Sequence, residues 1–155
     1  MKKSTVAVAI ITVIAIASAA VIMINENNRR TNDTGPEVIS MQLILTVDGK
    51  KIPVNWEDNP SVNAIKTLAK DTLTIEMSRY GGFEQTGNIG QSVVSNDTHI
   101  SVGCGDIVLY NGEQICLYFD DNSYSFTRLG KMDMADDEIV KILDVPGVKA
   151  VFTLE

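Results

Sequence analysis

The sequence predicts a mainly β fold, a barrel or sandwich of about eight short strands with two short helices. Short runs of apolar and β-branched residues recur along the chain, and hairpin turn signals at Asp48-Gly49 and Asn111-Gly112 separate two pairs of them. The length of 155 residues fits a single domain. Within the predicted domain two segments carry helix signals. The first opens with Asn59 as N-cap and Pro60 at its first position, and one of its faces carries Val62, Ile65, Leu68 and Ala69. The second runs from Asp133 to Leu143.

Residues 1–24 form a separate hydrophobic segment. Lys2 and Lys3 precede an apolar run from Thr5 to Ile24, and a helix of that length crosses a hydrocarbon core of about 30 Å. The two lysines favour a cytoplasmic N-terminus, so the domain that follows is expected outside the cytoplasm. We expect residues 5–24 to hold the chain in the cell membrane as a single-pass signal anchor.

A cleaved signal peptide is the alternative for this segment, and it predicts a secreted protein. Ala17-Ser18-Ala19 has the small side chains of a cleavage site, so cleavage is expected near Ala19. The apolar stretch AVIMI that follows favours the anchor. In either case residues 25–37 are predicted to be a polar tether, and residues 38–155 the folded domain.

The domain is acidic. Four of the 13 Lys and Arg residues and two of the 20 Asp and Glu residues lie in residues 1–36. Residues 37–155 therefore hold nine basic and eighteen acidic residues. An acidic surface without a basic patch repels phosphate backbones, so we expect no nucleic-acid partner. The acidity favours solubility, and the sequence carries no signal for an oligomeric state.

Strands are predicted on both sides of the Asp48-Gly49 and Asn111-Gly112 turns and near the C-terminus. In LTIEMSRY, strict alternation places Leu73, Ile75 and Met77 on one face. Pro53 interrupts the second strand and predicts a free edge or a bulge there. A loop is expected from Gly81 to Gly90. The predicted strand sequences are MQLILTV, KKIPVNW, LTIEMSRY, QSVVS, HISV, the two arms of GDIVLYNGEQICLYF, SYSFTRL and VKAVFTL.

The two cysteines are predicted to stay unpaired. With the turn centred on Asn111-Gly112, Cys116 faces Ile107 and Cys104 faces Phe119. This offset of three positions separates the thiols by about 10 Å along the strands. A disulfide requires Cα atoms within about 7 Å.

Residues typical of catalysis or metal binding are few. His99 is the only histidine, and with two cysteines it is too little for a zinc site. The segment GQSVV fails the G-x-S-x-G pattern at its last position, and GCGDIVL lacks the third glycine of a dinucleotide fingerprint. We predict no metal and no cofactor.

The stretch MSRYGGFEQTG, residues 77–87, is the main candidate for a binding surface. Gly81 and Gly82 permit a sharp bend that presents Phe83. Phe83 then either folds back over the end of the barrel or takes part in an apolar groove with polar edges, which suits a peptide or a small ligand. The residues expected in such a groove are Arg79, Tyr80, Phe83, Glu84, Tyr124, Phe126 and Arg128.

Four segments carry a family resemblance: EDNPSVNAI, LTIEMSRYGGFEQTG, GDIVLYNGEQICLYF and NSYSFTRLGKM. In this order and spacing they resemble the small bacterial and archaeal cyclophilin-like domain over about Met41 to Glu155. The resemblance implies a closed eight-stranded β-barrel capped by two short helices, here preceded by the N-terminal hydrophobic helix. It does not imply the activity of true cyclophilins.

True cyclophilins are peptidyl-prolyl cis-trans isomerases in which an Arg polarises the prolyl nitrogen and Phe, Met, Gln, Trp and His line the pocket. The segment SRYGGFEQ is similar to part of this set and would place Arg79, Phe83 and Gln85 on the Arg, Phe and Gln, at a shorter spacing. Relatives in the small family often carry Asp where Arg79 stands and Trp where Tyr124 stands.

From these observations we expect a non-catalytic module, tethered to the membrane or secreted, that binds a peptide or small ligand. The alternative is a peptidyl-prolyl isomerase of extracytoplasmic proteins, with Arg79 as first and Arg128 as second candidate for the electrophile. A third interpretation is an interaction domain for a neighbouring membrane protein.

Overall fold

Ten strands and two helices make up residues 41–155, the part of the chain that this computed structural model describes. The predicted hydrophobic helix, the tether and residues 38–40 lie outside the described residues. The helices are α1 (Pro60–Ala69) and α2 (Asp136–Leu143). The strands are β1 (Leu43–Val47), β2 (Lys50–Ile52), β3 (Val54–Trp56), β4 (Leu73–Tyr80), β5 (Glu84–Asn88), β6 (Thr98–Val102), β7 (Asp106–Tyr110), β8 (Gln114–Tyr118), β9 (Asn122–Met132) and β10 (Gly147–Leu154).

The sheet curls into a nearly closed antiparallel barrel. Its strand order is β2-β1-β10-β4-β5-β8-β7-β9-β3, with β6 paired to β9 outside this path. Pro53 alone separates β2 from β3, which pair with β1 and β9 respectively. Because proline has no N–H to donate, the strand breaks there and changes partner. Counted as one broken strand, β2 and β3 complete a barrel of eight strands, which confirms the predicted fold.

The interior of the barrel is filled by apolar side chains. Leu43, Leu45 and Val47 alternate with less buried residues along β1, as period-two patterning requires. In β4, Ile75 and Met77 point inward on the face that the sequence predicts. Full burial of one such side chain stabilises the fold by about 1.5–3 kcal/mol, so this interior supplies most of the stability.

Helix α1 packs against the barrel through the predicted face. Asn59 caps it, and its side-chain Oδ1 accepts a hydrogen bond from the N–H of Val62 at 2.9 Å. Val62, Ile65 and Ala69 are buried, whereas Leu68 is half-buried. The predicted cap and amphipathic face are therefore both confirmed.

Helix α2 begins at Asp136, three residues later than the predicted start at Asp133. Its first turn holds Asp136, Asp137 and Glu138, next to the positive end of the helix dipole. Ile139 and Leu143 are buried and attach the helix to the core.

The hairpin between β7 and β8 turns at Asn111 and Gly112, whose φ angles are 51° and 70°. The turn is confirmed, but the predicted register is wrong by one residue. The N–H of Glu113 donates to the carbonyl of Tyr110 at 3.1 Å, and Tyr110 pairs with Gln114. The loop therefore has three residues instead of two, because Glu113 stays outside the ladder.

This shift changes the neighbours of the cysteines. Cys116 lies opposite Val108, not opposite Ile107 as predicted. Cys104 precedes β7 and belongs to no strand. Both thiols are free.

Residues 81–97 depart most from the prediction. The expected loop from Gly81 to Gly90 contains strand β5, which lies between β4 and β8 in the barrel. Its sequence, EQTGN, lacks apolar residues, so hydrophobic patterning gave no strand signal. The predicted strand QSVVS is wrong, since only the N–H of Val93 bonds a neighbouring backbone, at the carbonyl of Gly112.

Neither helix within residues 41–155 has the length and apolar character of a membrane span.

Candidate functional site

A second hydrophobic cluster lies on the outer face of the barrel. In β8, Ile115 and Leu117 point into the barrel, whereas Cys116 and Tyr118 point outward. The first half of β9 pairs with β6 and contributes Phe126 to this outer face. We call this set the outer cluster: Val102, Val108, Cys116, Tyr118 and Phe126, with Phe83, Ile100 and Tyr110 packed against it.

A cavity of about 420 Å³ opens in the outer cluster. Its size falls within the range of small-molecule sites, about 300–1,000 Å³. Tyr80 and Tyr124 are 63% and 55% exposed, so they form its rim. The lining residues are Tyr80, Phe83, Glu84, Thr86, Tyr110, Gln114, Cys116, Tyr118, Asn122, Tyr124 and Phe126.

Six aromatic rings form a continuous wall of this cavity. Phe83 stacks on Tyr118 with ring centroids 6.1 Å apart, and its ring lies edge-on to Tyr80 at 6.2 Å. Phe126 continues the wall, since its ring centroid is 5.9 Å from that of Tyr118 and 5.9 Å from that of Tyr124. Such rings offer apolar surface and negatively charged faces, which attract both apolar groups and cations.

The turn before β5 positions Phe83. Gly81 and Gly82 have φ angles of 61° and 82°, which L side chains rarely adopt. The ring of Phe83 lies so close over Gly81 that a Cβ at this position would overlap it. The glycine pair therefore directs Phe83 onto the outer cluster, where it lines the cavity instead of covering the end of the barrel.

Glu84 is the only acidic residue of the lining among residues 41–155. It is 6% exposed, and its Oε2 atom has no hydrogen-bond partner among the described residues. Burial raises the pKa of Glu84 above its ordinary value, and hydrogen bonding with the Tyr118 hydroxyl and the Cys116 thiol opposes this rise. A buried carboxyl group with an unpartnered oxygen is costly in a structural role and is typical of functional sites.

The polar groups around Glu84 are ordered by hydrogen bonds. The side-chain amide of Asn122 donates to the Tyr118 hydroxyl at 3.1 Å, which leaves the hydroxyl proton directed to other acceptors. Burial raises the pKa of Tyr118, and the hydrogen bond to Glu84 raises it further. Burial and then the charge of Glu84 raise the pKa of Cys116 to about 12. Both groups are therefore neutral at physiological pH, and both are available as donors to the carboxyl group.

Five of the seven residues expected in a groove lie together in this cavity: Tyr80, Phe83, Glu84, Tyr124 and Phe126. Arg79 does not line it. Its Nε donates to Asp144 Oδ1 at 2.7 Å, and its guanidinium lies 5.6 Å from the centre of the Phe119 ring, which belongs to the barrel interior.

Arg128 also lies outside this cavity. Its guanidinium forms an ion pair with Asp106 and donates a hydrogen bond to the carbonyl of Ser101 at 3.1 Å. It lines a smaller cavity of about 260 Å³ next to the start of α1. Neither arginine therefore lines the cavity together with the aromatic residues. Whether any of these residues binds a ligand stays a prediction.

The residues compared with an isomerase pocket are divided between two faces of the sheet. Arg79 pairs with Gln85 across β4 and β5, whereas Tyr80 pairs with Glu84. Because side chains alternate along a strand, the first pair points away from the cavity and the second pair lines it. Gln85 is fully buried and donates from Nε2 to the carbonyls of Leu143 and Val145, both at 2.7 Å.

Sequence reasoning missed six lining residues: Thr86, Tyr110, Gln114, Cys116, Tyr118 and Asn122. A signal was available for part of this set. The arms of GDIVLYNGEQICLYF are apolar at nearly every position, which indicates strands that are buried on both faces. One of those faces had to pack against something outside the barrel.

No group of three His, Cys, Asp or Glu side chains within residues 41–155 is arranged to hold a metal ion. His99 is exposed on β6, with Nε2 3.1 Å from the Ser123 hydroxyl.

These features define a class, namely an antiparallel barrel that carries a ligand-sized aromatic cavity on its outer face. The model of the cyclophilin-like family matches residues 45–153, and the chain belongs to that family. This confirms the resemblance inferred from the four sequence segments. The comparison with curated proteins gave no match.

Proposed function

We propose that the domain is a binding module whose outer cavity holds a small ligand or a short peptide segment. The observation that carries this proposal is the cavity itself, about 420 Å³ in volume and lined by six aromatic rings and one buried carboxyl group. Stability alone would favour filling such a volume with side chains, because unfilled space forfeits packing contacts.

The placement of the arginines favours binding over isomerisation. Lowering the barrier of about 20 kcal/mol for prolyl isomerisation requires an electrophile near the prolyl nitrogen. Arg79 is engaged with Asp144 on the other face of β4, and the other candidate, Arg128, is engaged with Asp106. A proline peptide in the aromatic cavity would therefore meet a carboxyl group and not a guanidinium.

One substrate tests both activities. The full-length chain in detergent micelles is mixed with acetyl-Ala-Phe-Pro-Ala-amide, and NMR follows the amide resonances of the protein and the cis–trans exchange of the peptide. We expect shifts at Glu84, Tyr118 and Phe126 and no faster exchange. Faster exchange that disappears in Arg79→Ala would establish the isomerase instead. If neither this peptide nor 2-phenylethanol shifts a cavity resonance, the binding function is refuted.

We also propose that the domain acts outside the cytoplasm, tethered to the membrane by residues 5–24 or secreted. The basic start and the apolar run from Thr5 to Ile24 support this location. Carbonate extraction, protease accessibility in intact cells and intact mass test it. An anchored chain stays in the membrane with its full mass, and a secreted one has lost the residues up to about Ala19. A full-length chain that is soluble and protected from external protease would refute both forms.

A further inference from the structure

We propose that the outer cavity binds a primary ammonium group, with Glu84 as its counter-ion and the aromatic rings as its walls. This inference rests on the proposed function, because it names the ligand class of the same cavity. The chemistry is shared by free small amines and by the side chain of lysine in a peptide.

The unpartnered oxygen of Glu84 indicates what the ligand must bring. The Tyr118 hydroxyl and the Cys116 thiol hydrogen-bond the carboxyl group, yet its Oε2 atom has no partner among residues 41–155, and the residue is 6% exposed. An ionised carboxylate is acceptor-only, and a buried one is stable only when donors or an opposite charge compensate it. A primary ammonium group supplies three N–H donors and a positive charge in one compact group.

The lining supplies no cation of its own. Among the described residues that line the cavity there is no Lys, Arg or His. Thr86 Oγ1 is directed to Gln114 Oε1 at 3.3 Å, and Asn122 is directed to the Tyr118 hydroxyl. These groups are satisfied by each other and leave Glu84 as the charged feature of the cavity. A ligand carboxylate or phosphate would face that charge, so anionic ligands are disfavoured.

The aromatic wall favours the same ligand class. Ammonium groups are attracted to the faces of Tyr and Phe rings, more strongly where water is excluded. Tyr80 and Tyr124 expose more than half of their surface at the rim, where an incoming cation meets them first. Phe83 and Phe126 lie deeper and contact the apolar part of the ligand.

Three probes of similar shape and different charge test the proposal: phenethylammonium, 2-phenylethanol and 3-phenylpropanoate. Each is titrated into the full-length chain in detergent micelles, with calorimetry for affinity and NMR for the site. We expect phenethylammonium to bind at least tenfold more tightly than the alcohol, and the carboxylate not to bind. The resonances of Glu84, Tyr118 and Phe126 should shift.

Glu84→Gln is the diagnostic variant, because it keeps the side-chain shape and removes the charge. It should abolish the advantage of phenethylammonium over 2-phenylethanol and leave alcohol binding intact. Glu113→Gln is the matched control, since it removes an equal charge from the exposed turn next to Gln114. It should leave every affinity within twofold. Titrating the variants in the same micelles cancels the partition of the probes into detergent.

The outcomes separate the two proposals. If phenethylammonium and 2-phenylethanol bind equally well, and Glu84→Gln changes neither, the ammonium inference is overturned while the binding function stands. If no probe shifts a cavity resonance, both fail.

A pair of peptides identifies the source of the ammonium group. Acetyl-Ala-Lys-Ala-amide is compared with the same peptide carrying norleucine, which replaces the charged end by a methyl group. Tighter binding of the lysine peptide than of phenethylammonium identifies a peptide ligand. Binding of phenethylammonium alone identifies a small free amine. Preference for the norleucine peptide over the lysine peptide contradicts the proposal.

Discussion

The barrel interior and the outer cluster are two buried regions built from the two faces of the same strands. Along β8, Ile115 and Leu117 fill the interior, and Cys116 and Tyr118 form part of the outer cluster. The interior packs mainly aliphatic side chains, with Phe119 and Phe152 among them, whereas the outer cluster arranges rings around an open volume with one carboxyl group inside. Alternate residues of one strand therefore belong to the barrel interior and to the proposed binding cavity in turn.

This separation has a practical meaning for substitutions. A change on the inner face should lower stability and affect the cavity only through loss of the fold. A change at the exposed rim of the outer face should alter binding at little cost in stability, whereas a change at its buried residues, such as Tyr118 or Phe126, should lower both. The rim residues Tyr80 and Tyr124 are the extreme case, because both are more than half exposed.

The largest effect is expected at Leu117, which is fully buried in the interior. Leu117→Ala should lower the free energy of unfolding by about 3 kcal/mol, because it removes buried methyl groups and leaves a cavity. Cys116→Ala, one residue away on the outer face, should cost about 1 kcal/mol, because it removes a single buried sulfur atom. Urea unfolding followed by the fluorescence of Trp56, the single tryptophan, measures both. An equal loss at Cys116, where a smaller group is removed, would show that the outer cluster contributes to stability as strongly as the interior.

The glycine turn should give the next largest effect. Gly81→Ala and Gly82→Ala both place a side chain at positive φ, which costs about 1–2 kcal/mol. Only the Cβ of Gly81→Ala overlaps the ring of Phe83, since the nearest atom to a Cβ at Gly82 is 3.7 Å away on Arg79. We therefore expect similar melting temperatures but weaker phenethylammonium binding in Gly81→Ala alone. Equal phenethylammonium binding by both variants would show that the position of Phe83 does not matter for the site.

Glu84→Gln should raise the melting temperature at neutral pH, because it removes a buried charge that the surrounding donors do not fully compensate. The raised pKa means that the folded state keeps the Glu84 proton to higher pH than the unfolded state does. Between the two pKa values the folded state binds more protons, so the free energy of unfolding of the parent falls as pH rises.

The pH profile is the sharper measurement for this variant. The difference in melting temperature between Glu84→Gln and the parent should vanish below the ordinary pKa of 4.5 and grow as pH rises through the folded pKa of Glu84. Saturating phenethylammonium should reduce it by stabilising the charged parent. A difference that is constant from pH 4 to pH 8 would show that Glu84 does not titrate as a buried group.

Arg79→Ala should have the smallest effect. The ion pair with Asp144 is exposed, with side-chain exposures of 41% and 44%, and such pairs contribute about 0–1 kcal/mol. We expect a loss of about 0.5 kcal/mol and unchanged phenethylammonium binding, because Arg79 points away from the cavity. A loss of phenethylammonium binding would show that the face of β4 that carries Arg79 also affects the cavity, and would contradict the separation of the two faces.

Much of the fold follows from local signals in the sequence. Alternation placed the inner face of β4, apolar runs placed β1 and β10, the Asn-Gly dipeptide placed the β7–β8 turn, and Asn59 with Pro60 placed the start of α1. The failures have physical causes as well. Strand β5 forms because it pairs with β4 and β8, and its own polar sequence gave no sign of this. The register of the β7–β8 hairpin was mispredicted because the backbone conformation of the turn, which sets the loop length, leaves Glu113 unpaired.

The same reasoning predicted only about half of the residues that line the candidate site. Tyr80, Phe83 and Glu84 are close in sequence, so the stretch around the two glycines identified them. Tyr110 and Tyr118 join them only through the β5–β8 and β7–β8 pairings, which are long-range contacts. Arg79 was expected in the groove for the same reason. The face to which a strand residue points depends on the strand register, which local sequence patterns do not determine.

Pro53 gives the barrel a seam. The two three-residue pieces on either side of it are the only strand that joins β1 to β9 in the described domain, and short ladders open most readily. Transient opening of the β1–β2 or β3–β9 pairing at this seam would turn the cylinder into a curled sheet without unpairing β5 from β8. The wall that carries the rings can therefore stay intact while the opposite side of the cylinder loosens.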